Sequence, residues 1–407
     1  MSGALSHLRV LDLSRILAGP WCGQLLADLG AEVIKVERPV TGDDTRGWGP
    51  PFLRVGEGQE TGDAAYYLCA NRNKKSITID FTRPEGQELL QELAARSDIV
   101  IENFKVGDLK KYGLDYESLK AVNPRIIYCS VTGFGQDGPY ALRPGYDFLI
   151  QAMGGLMSIT GRKAGEPGSG PQKVGVALTD ILTGLYGSVG ILAAVANRER
   201  TGIGQHIDMA LLDVQVACLA NQAMNYLVGG TPPVALGNSH PNIVPYQDFP
   251  TQDGHMIIAV GNDGQFSRLC HVLGASSLAI DPRFATNRVR VENRALLVAA
   301  LNELTVRRPT AEWVGLLETA GVPCGPINSI DAVFEDPQVV ARGLKIELPH
   351  PTAETVPGVA NPIRMSETPV QYRSAPPELG ANTVEVLMQE LGIAPDRILE
   401  LERLGVL

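Results

Sequence analysis

Short β-branched runs recur through the first third of the chain, and stretches of helical spacing separate most of them. LRVLDL (8–13), AEVIKVER (31–38), KSITIDF (75–81), DIVIENF (98–104) and RIIYCSVTGFG (125–135) read as strands. A helix opens at Ala18-Gly19-Pro20, where proline suits an early helical position, and closes at Ala27-Asp28-Leu29-Gly30. PEGQELLQELAARS (84–97) is a second helix, and a third stretch of helical spacing stops at Asn123-Pro124. Strands joined this way must run parallel, because the connecting helix carries the chain back to the starting edge. The expected fold class is α/β, with a doubly wound, Rossmann-like large domain.

Beyond Gly204 the spacing changes. Residues 205–230 read as one long linker helix ended by Gly229-Gly230. A Pro/Gly/Asn-rich stretch to residue 254 must be loop or hairpin, HMIIAVG (255–261) is a strand, and 263–320 is mostly helical. GVPCGPIN (321–328) reads as a turn. KIELPHP (345–351) reads as a strand and PDRILELERLG (395–405) as a final helix. The expected organisation is a large domain from 1–204 and 335–407, the linker helix, and a smaller α+β domain over 231–334.

From Val174 to Asn197 the only charged side chain is Asp180. The run is long enough to cross a membrane, but it carries Gly184, Gly187 and Gly190, and no second span accompanies it. A helix buried on all sides of a large domain is the preferred reading. The net charge of −10 opposes phosphate-backbone binding, so no nucleic acid and no membrane partner is expected. The six cysteines stand singly, without metal spacing, so neither a disulfide framework nor a metal site is expected. The first ten residues lack signal-peptide and transit-peptide character, so the expected location is cytoplasmic, or the mitochondrial matrix if a presequence has been removed.

The first strand–turn–helix does not bind a dinucleotide by its fingerprint. SRILAGP holds one glycine where GxGxxG is required, and Glu37 alone does not replace the missing ones. Asp180 has two readings on residues alone. It caps a helix, as Thr179 also can, or it is a nucleophile held in an apolar surround.

A set of strings in one order carries more. LAGP (17–20), GAEVIKVERP (30–39), GDDTRGW (42–48), NRNKKS (71–76), ENF (102–104), YGLDYE (112–117), SVTGFGQDGP (130–139), GYD (145–147) and GVALTDILTGLYG (175–187) resemble the family III coenzyme A transferases. DDTRGWGPPF (43–52), YYLCANRNKKS (66–76) and IVPYQDF (243–249) resemble their succinyl-CoA:glutarate branch rather than the oxalate one. The resemblance implies an interlocked homodimer with no tightly bound cofactor, acting on a coenzyme A thioester and a free dicarboxylic acid. It places Asp180 at the family's nucleophile, which forms mixed-anhydride and aspartyl-CoA thioester intermediates. It implies coenzyme A contacts from Ile16, Leu17, Arg38, Asn71, Arg72, Asn73, Asn103, Phe104 and Lys111. Lys74 and Lys75 read equally well as a solvated pair.

At the substrate end the expectations are looser. Arg46 is a carboxylate clamp or a structural ion pair to Asp43 or Asp44. The resemblance implies that Trp48 lies near the acyl pocket; Tyr66 walls that pocket or is a strand-edge aromatic, and His240 meets the acid's distal end or is a plain loop histidine. Leu17 replaces the glutamine of the oxalate enzymes, which argues against oxalate or formate. Racemases of the same superfamily use a histidine in a GHD string. Here it is Tyr146, a poor base at neutral pH. The expected activity is transfer of coenzyme A from succinyl-CoA to glutarate. Itaconate, hydroxymethylglutarate or an aromatic succinate are alternative acids.

Overall fold

The computed structural model describes residues 3–56 and 58–407. Its main sheet comprises β1 (Arg9–Asp12), β2 (Glu32–Glu37), β3 (Lys74–Thr78), β4 (Ile99–Glu102), β5 (Ile127–Thr132) and β6 (His206–Ala210). All neighbours pair in parallel, in the order β3-β2-β1-β4-β5-β6. This is the strand order of doubly wound dinucleotide folds, reached here without their glycine fingerprint.

The period-2 alternation of each strand feeds two separate cores. Leu11, Ile34, Val36, Val100 and Tyr128 join the helix Pro84–Ala95 and the C-terminal helices Thr383–Leu391 and Pro395–Arg403 on one face. Val10, Val33, Ile99, Ile101, Ile127 and Cys129 join Ala18–Asp28 and Leu178–Thr201 on the other. Burial on both faces explains why these strands read as nearly continuous apolar runs. The two helices on the second face meet through bare backbone. A Cβ on Gly184 would lie 2.7 Å from the Ala18 carbonyl oxygen and 3.1 Å from Trp21 Cβ.

Two sequence expectations need correction here. Residues 205–230 are not one linker helix: His206–Ala210 is the sixth strand, followed by helices Leu211–Ala217 and Ala220–Gly229. Ile207 and Met209, two residues apart, both pack toward Gly190. That strand period is masked in sequence by the apolar helix that follows. Helix Leu178–Thr201 is not buried on all sides either. It is long and apolar enough to cross a membrane by length and composition, and its outer face leaves Leu185, Tyr186 and Val189 exposed.

The chain divides into two compact units. One is Met1–Leu156, Lys173–Thr231 and Gln338–Leu407; the other is Met157–Gln172 with Pro232–Pro337. The segment 205–230 thus belongs to the larger unit, and 157–172 joins the smaller one, which the sequence did not suggest. The smaller unit packs an antiparallel sheet of Tyr246–Pro250, His255–Ala259 and Cys324–Pro326 around Phe249, Phe266, Leu269, Leu297 and Trp313. Residues 324–326, expected as part of a turn, are its third strand, paired with Met256–Ile258.

Candidate active site

In an open parallel sheet, ligands bind beyond the carboxyl ends of the strands, where the strand order reverses. Here that point lies between β1 and β4, and a cavity of about 250 Å³ sits there. Its walls are Arg15–Ala18 after β1, Asn103–Val106 after β4, Val131–Gly133 at β5, Arg143–Tyr146, Leu211 and Asp180. A smaller cavity of about 80 Å³ shares Arg15 and Phe104. It extends over the ends of β2 and β3, along Lys35–Arg38, Asp43 and Ile79–Thr82.

Asp180 is the third residue of helix Leu178–Thr201 and is 8% exposed. It does not cap its helix. The N-cap position is Ala177, which has no side chain for the task, and Asp147 supplies the acceptor from another segment. Asp147 Oδ1 accepts the Thr179 N–H at 2.8 Å and the Asp180 N–H at 3.4 Å, while its Oδ2 accepts from Gln151. The Asp180 carboxylate is left facing the cavity without a hydrogen bond among the described residues. Burial, and secondly the Asp147 charge, push its pKa up to about 7. A carboxylate of such basicity is a better nucleophile than an ordinary surface aspartate, and about half of it is ionised at neutrality.

Of the residues expected to hold coenzyme A, Ile16, Leu17, Asn103 and Phe104 line the main cavity and Arg38 lines the smaller one. Arg38 is exposed and forms no ion pair among the described residues. Lys111 is exposed, its ammonium 4.8 Å from the Tyr112 ring, and lines neither cavity. Phe104 stands edge-on to Phe81 at 5.4 Å. Its N–H donates to Glu102 Oε2 at 2.7 Å; Glu102 is a buried group that desolvation pushes to about 7.

The structure moves Asn71, Arg72 and Asn73 out of this group. Asn71 is fully buried, accepting from Lys74 and donating to the Tyr67 carbonyl. Arg72 forms a double bond-pair with Asp28 (2.9 and 2.6 Å) and donates to the Val359 carbonyl. Asn73, at φ +63°, bridges Asp28 to the backbone at Gln371, Arg373 and Ser374. These side chains tie the C-terminal return to the first helix. Lys74 is buried rather than solvated, 3.0 Å from Asp12, whereas Lys75 pairs with Glu32 and Glu385.

Arg46 is likewise structural, with partners other than those expected. It is buried against Glu37 (2.8 and 2.7 Å), Asp63 (2.6 Å), Tyr67 and the Pro377 carbonyl, so its guanidinium is engaged within the fold and lines neither cavity. Trp48 and Tyr66 form an edge-on pair at 5.2 Å. The Tyr66 hydroxyl is held up at about 12 by burial and then by the charge of Asp180, which puts it in that carboxylate's field. His240 lies in the smaller unit, its ring 5.1 Å from Tyr246 and its Nδ1 accepting the Asn242 N–H.

Sequence reasoning missed Asp147 and Arg143. Asp147 ends the GYD string, and its acidic character was the available signal. Arg143 lines the Asp180 cavity, packs over Phe134 and Tyr140, and forms no ion pair among the described residues. Nothing in its sequence context separates it from a surface arginine.

Comparison with known proteins agrees with this geometry. The model of CoA-transferase family III matches residues 5–383, and the chain belongs to that family. It is 53% identical to a succinate–glutarate CoA-transferase of Agrobacterium fabrum over 95% of both chains. It is 44% identical to the human succinyl-CoA:glutarate CoA-transferase, covering 99% of this chain and 89% of that one. A crystal structure of a CaiB/BaiF family protein from Brucella suis superposes with a TM-score of 0.84 at 53% identity, covering 96% of this chain and all of the other.

Proposed function

We propose that the protein transfers coenzyme A from succinyl-CoA to glutarate, with Asp180 as the acyl acceptor. The observation that carries this reading is the unpartnered, desolvated Asp180 carboxylate at the strand-order reversal of the larger unit. The names borne by relatives of 44–53% identity support the two acids.

A carboxylate oxygen of Asp180 attacks the thioester carbonyl. The C–S bond breaks, the CoA thiolate leaves, and an aspartyl–succinyl anhydride remains. The thiolate then attacks the aspartyl carbonyl, releasing succinate and leaving an aspartyl-CoA thioester. The glutarate carboxylate attacks that thioester and displaces the thiolate. The thiolate returns to the glutaryl carbonyl of the new anhydride and frees Asp180. Arg38 serves the nucleotide end of coenzyme A, and Phe104 the arm between the two cavities. Leu17 gives the acyl cavity an apolar wall. Trp48 and Tyr66 border the acyl group.

Incubating the protein with succinyl-CoA and glutarate, with Asp180→Asn in parallel, tests this by mass spectrometry. Glutaryl-CoA from wild type alone is expected. Equal product from both proteins removes Asp180 from the chemistry.

The working form is a homodimer in this reading. In the single chain Leu185, Tyr186, Val189, Met224, Leu227 and Val228 leave apolar side chains exposed on two helices of the larger unit, Leu178–Thr201 and Ala220–Gly229. Light scattering is expected to give twice the 43.6 kDa chain mass.

A further inference from the structure

Ile16 has φ +73°, in the left-handed region that β-branched residues avoid. Such a conformation persists only where its surroundings over-determine it. The turn that contains it is held from end to end by side chains. The Ser14 N–H donates to Asp12 Oδ1 (3.0 Å), and the Ser14 carbonyl accepts from Lys35 Nζ (2.9 Å). The Arg15 N–H and carbonyl are both engaged by the Asn103 amide (2.9 and 2.7 Å). The Ile16 N–H donates to Asp43 Oδ1 at 3.2 Å. Asp43 also pairs with Lys35 at 2.8 Å, both side chains fully buried, and receives the N–H and hydroxyl of Thr45.

We propose that Asp43, backed by Lys35, is a positioning residue for acyl transfer, holding Ile16 left-handed so that the Ile16–Ala18 backbone forms the wall of the Asp180 cavity. This rests on the reading of Asp180 as the acyl acceptor. Asp43 does not itself line that cavity, though it borders the smaller one, and it acts on the Asp180 cavity through the turn. Burial would raise its pKa, but Lys35 and then Thr45 outweigh that and hold it at about 2, so the anchor is charged at any working pH.

The test is a double-mutant cycle in kcat and KM for succinyl-CoA, using Asp43→Ala, Ile16→Gly and both together. Asp43→Ala is expected to lower kcat roughly tenfold, the scale on which a left-handed β-branched residue is disfavoured. Adding Ile16→Gly is expected to recover several-fold of that loss, because glycine takes this φ without a Cβ penalty. A purely structural ion pair gives no such rescue. A kcat for Asp43→Ala within about twofold of wild type, or a double variant no faster than the single one, overturns the proposal. If Asp43→Ala does not fold, Asn103→Ala takes its place in the same cycle. That variant frees Arg15, and the same rescue by glycine is required. Wild type without transfer would overturn the underlying reading and this proposal with it, whereas an active wild type with no glycine rescue overturns this proposal alone.

Discussion

Asp180 and Asp43 are both aspartates buried beside the same crevice, yet they stand at opposite ends of carboxyl chemistry. Asp180 is desolvated, has no hydrogen-bond partner for its carboxylate among the described residues and a second carboxylate behind it, and its pKa is pushed up to about 7. Asp43 is no less buried, but Lys35 and Thr45 hold it at about 2. Burial alone therefore does not make a nucleophile. What differs is whether partners satisfy the charge, and only the unsatisfied group has lone pairs free for a carbonyl.

The comparison breaks if removing either carboxylate has the same effect. Asp180→Asn is expected to lower kcat at least a thousand-fold, roughly the scale of losing a covalent nucleophile. Stability separates the pair by sign. A raised folded-state pKa means that the fold loses stability as pH climbs from the unfolded value through about 7. Asp180→Asn should therefore raise the unfolding free energy read from urea titration at pH 8 by about a few kcal/mol, and leave it nearly unchanged at pH 4. A depressed pKa means the reverse. The stability that Asp43 contributes is present above the ordinary carboxylate range and lost as pH falls toward about 2, so Asp43→Asn should lower the pH 8 midpoint.

Asp147 sharpens the contrast from outside the pair. Asp147→Asn keeps an oxygen for the Thr179 and Asp180 N–H groups but removes the neighbouring charge. Wild-type kcat/KM should rise with pH through about 7, and in this variant the acid limb should move to lower pH. An unmoved limb would assign the whole shift to burial. The smallest change concerns distance rather than charge. Gly184→Ala forces a Cβ against the Ala18 carbonyl and should cost about 1–3 kcal/mol in thermal or urea unfolding. It should also reduce kcat more than the succinyl-CoA KM.

How much of this was legible in the sequence follows from where each residue's partners lie. Five strands of the main sheet and the helix at Ala18 follow from local spacing, because each buries both faces or one stripe. Asp180 is visible as a lone charge in an apolar run, and the resemblance carried by the ordered strings beside it implies the role proposed for it. The sixth strand is hidden because Ile207 and Met209 run straight into a helix. Arg46, Arg72 and Asn73 are misread because a polar side chain's destination is not a local property. Asp28 lies 44 residues before Arg72, and the Pro377 carbonyl lies 331 residues after Arg46. The strained turn at Ile16 is invisible for the same reason, since Lys35, Asp43 and Asn103 reach it from three different segments.

The exposed flank of β3 is finished by the end of the chain. Its backbone pairs with Asn382 and Thr383, the neighbouring Asn73 meets residues 371–374, and the Asp80 N–H reaches the Val406 carbonyl. During synthesis the ribosome therefore releases a sheet whose outer strand has open hydrogen-bonding groups until the last few dozen residues emerge. An unpaired edge of that kind recruits other strands. A premature stop between Leu211 and residue 371 would keep every residue lining the two cavities in the chain and still yield a product with its own template for aggregation.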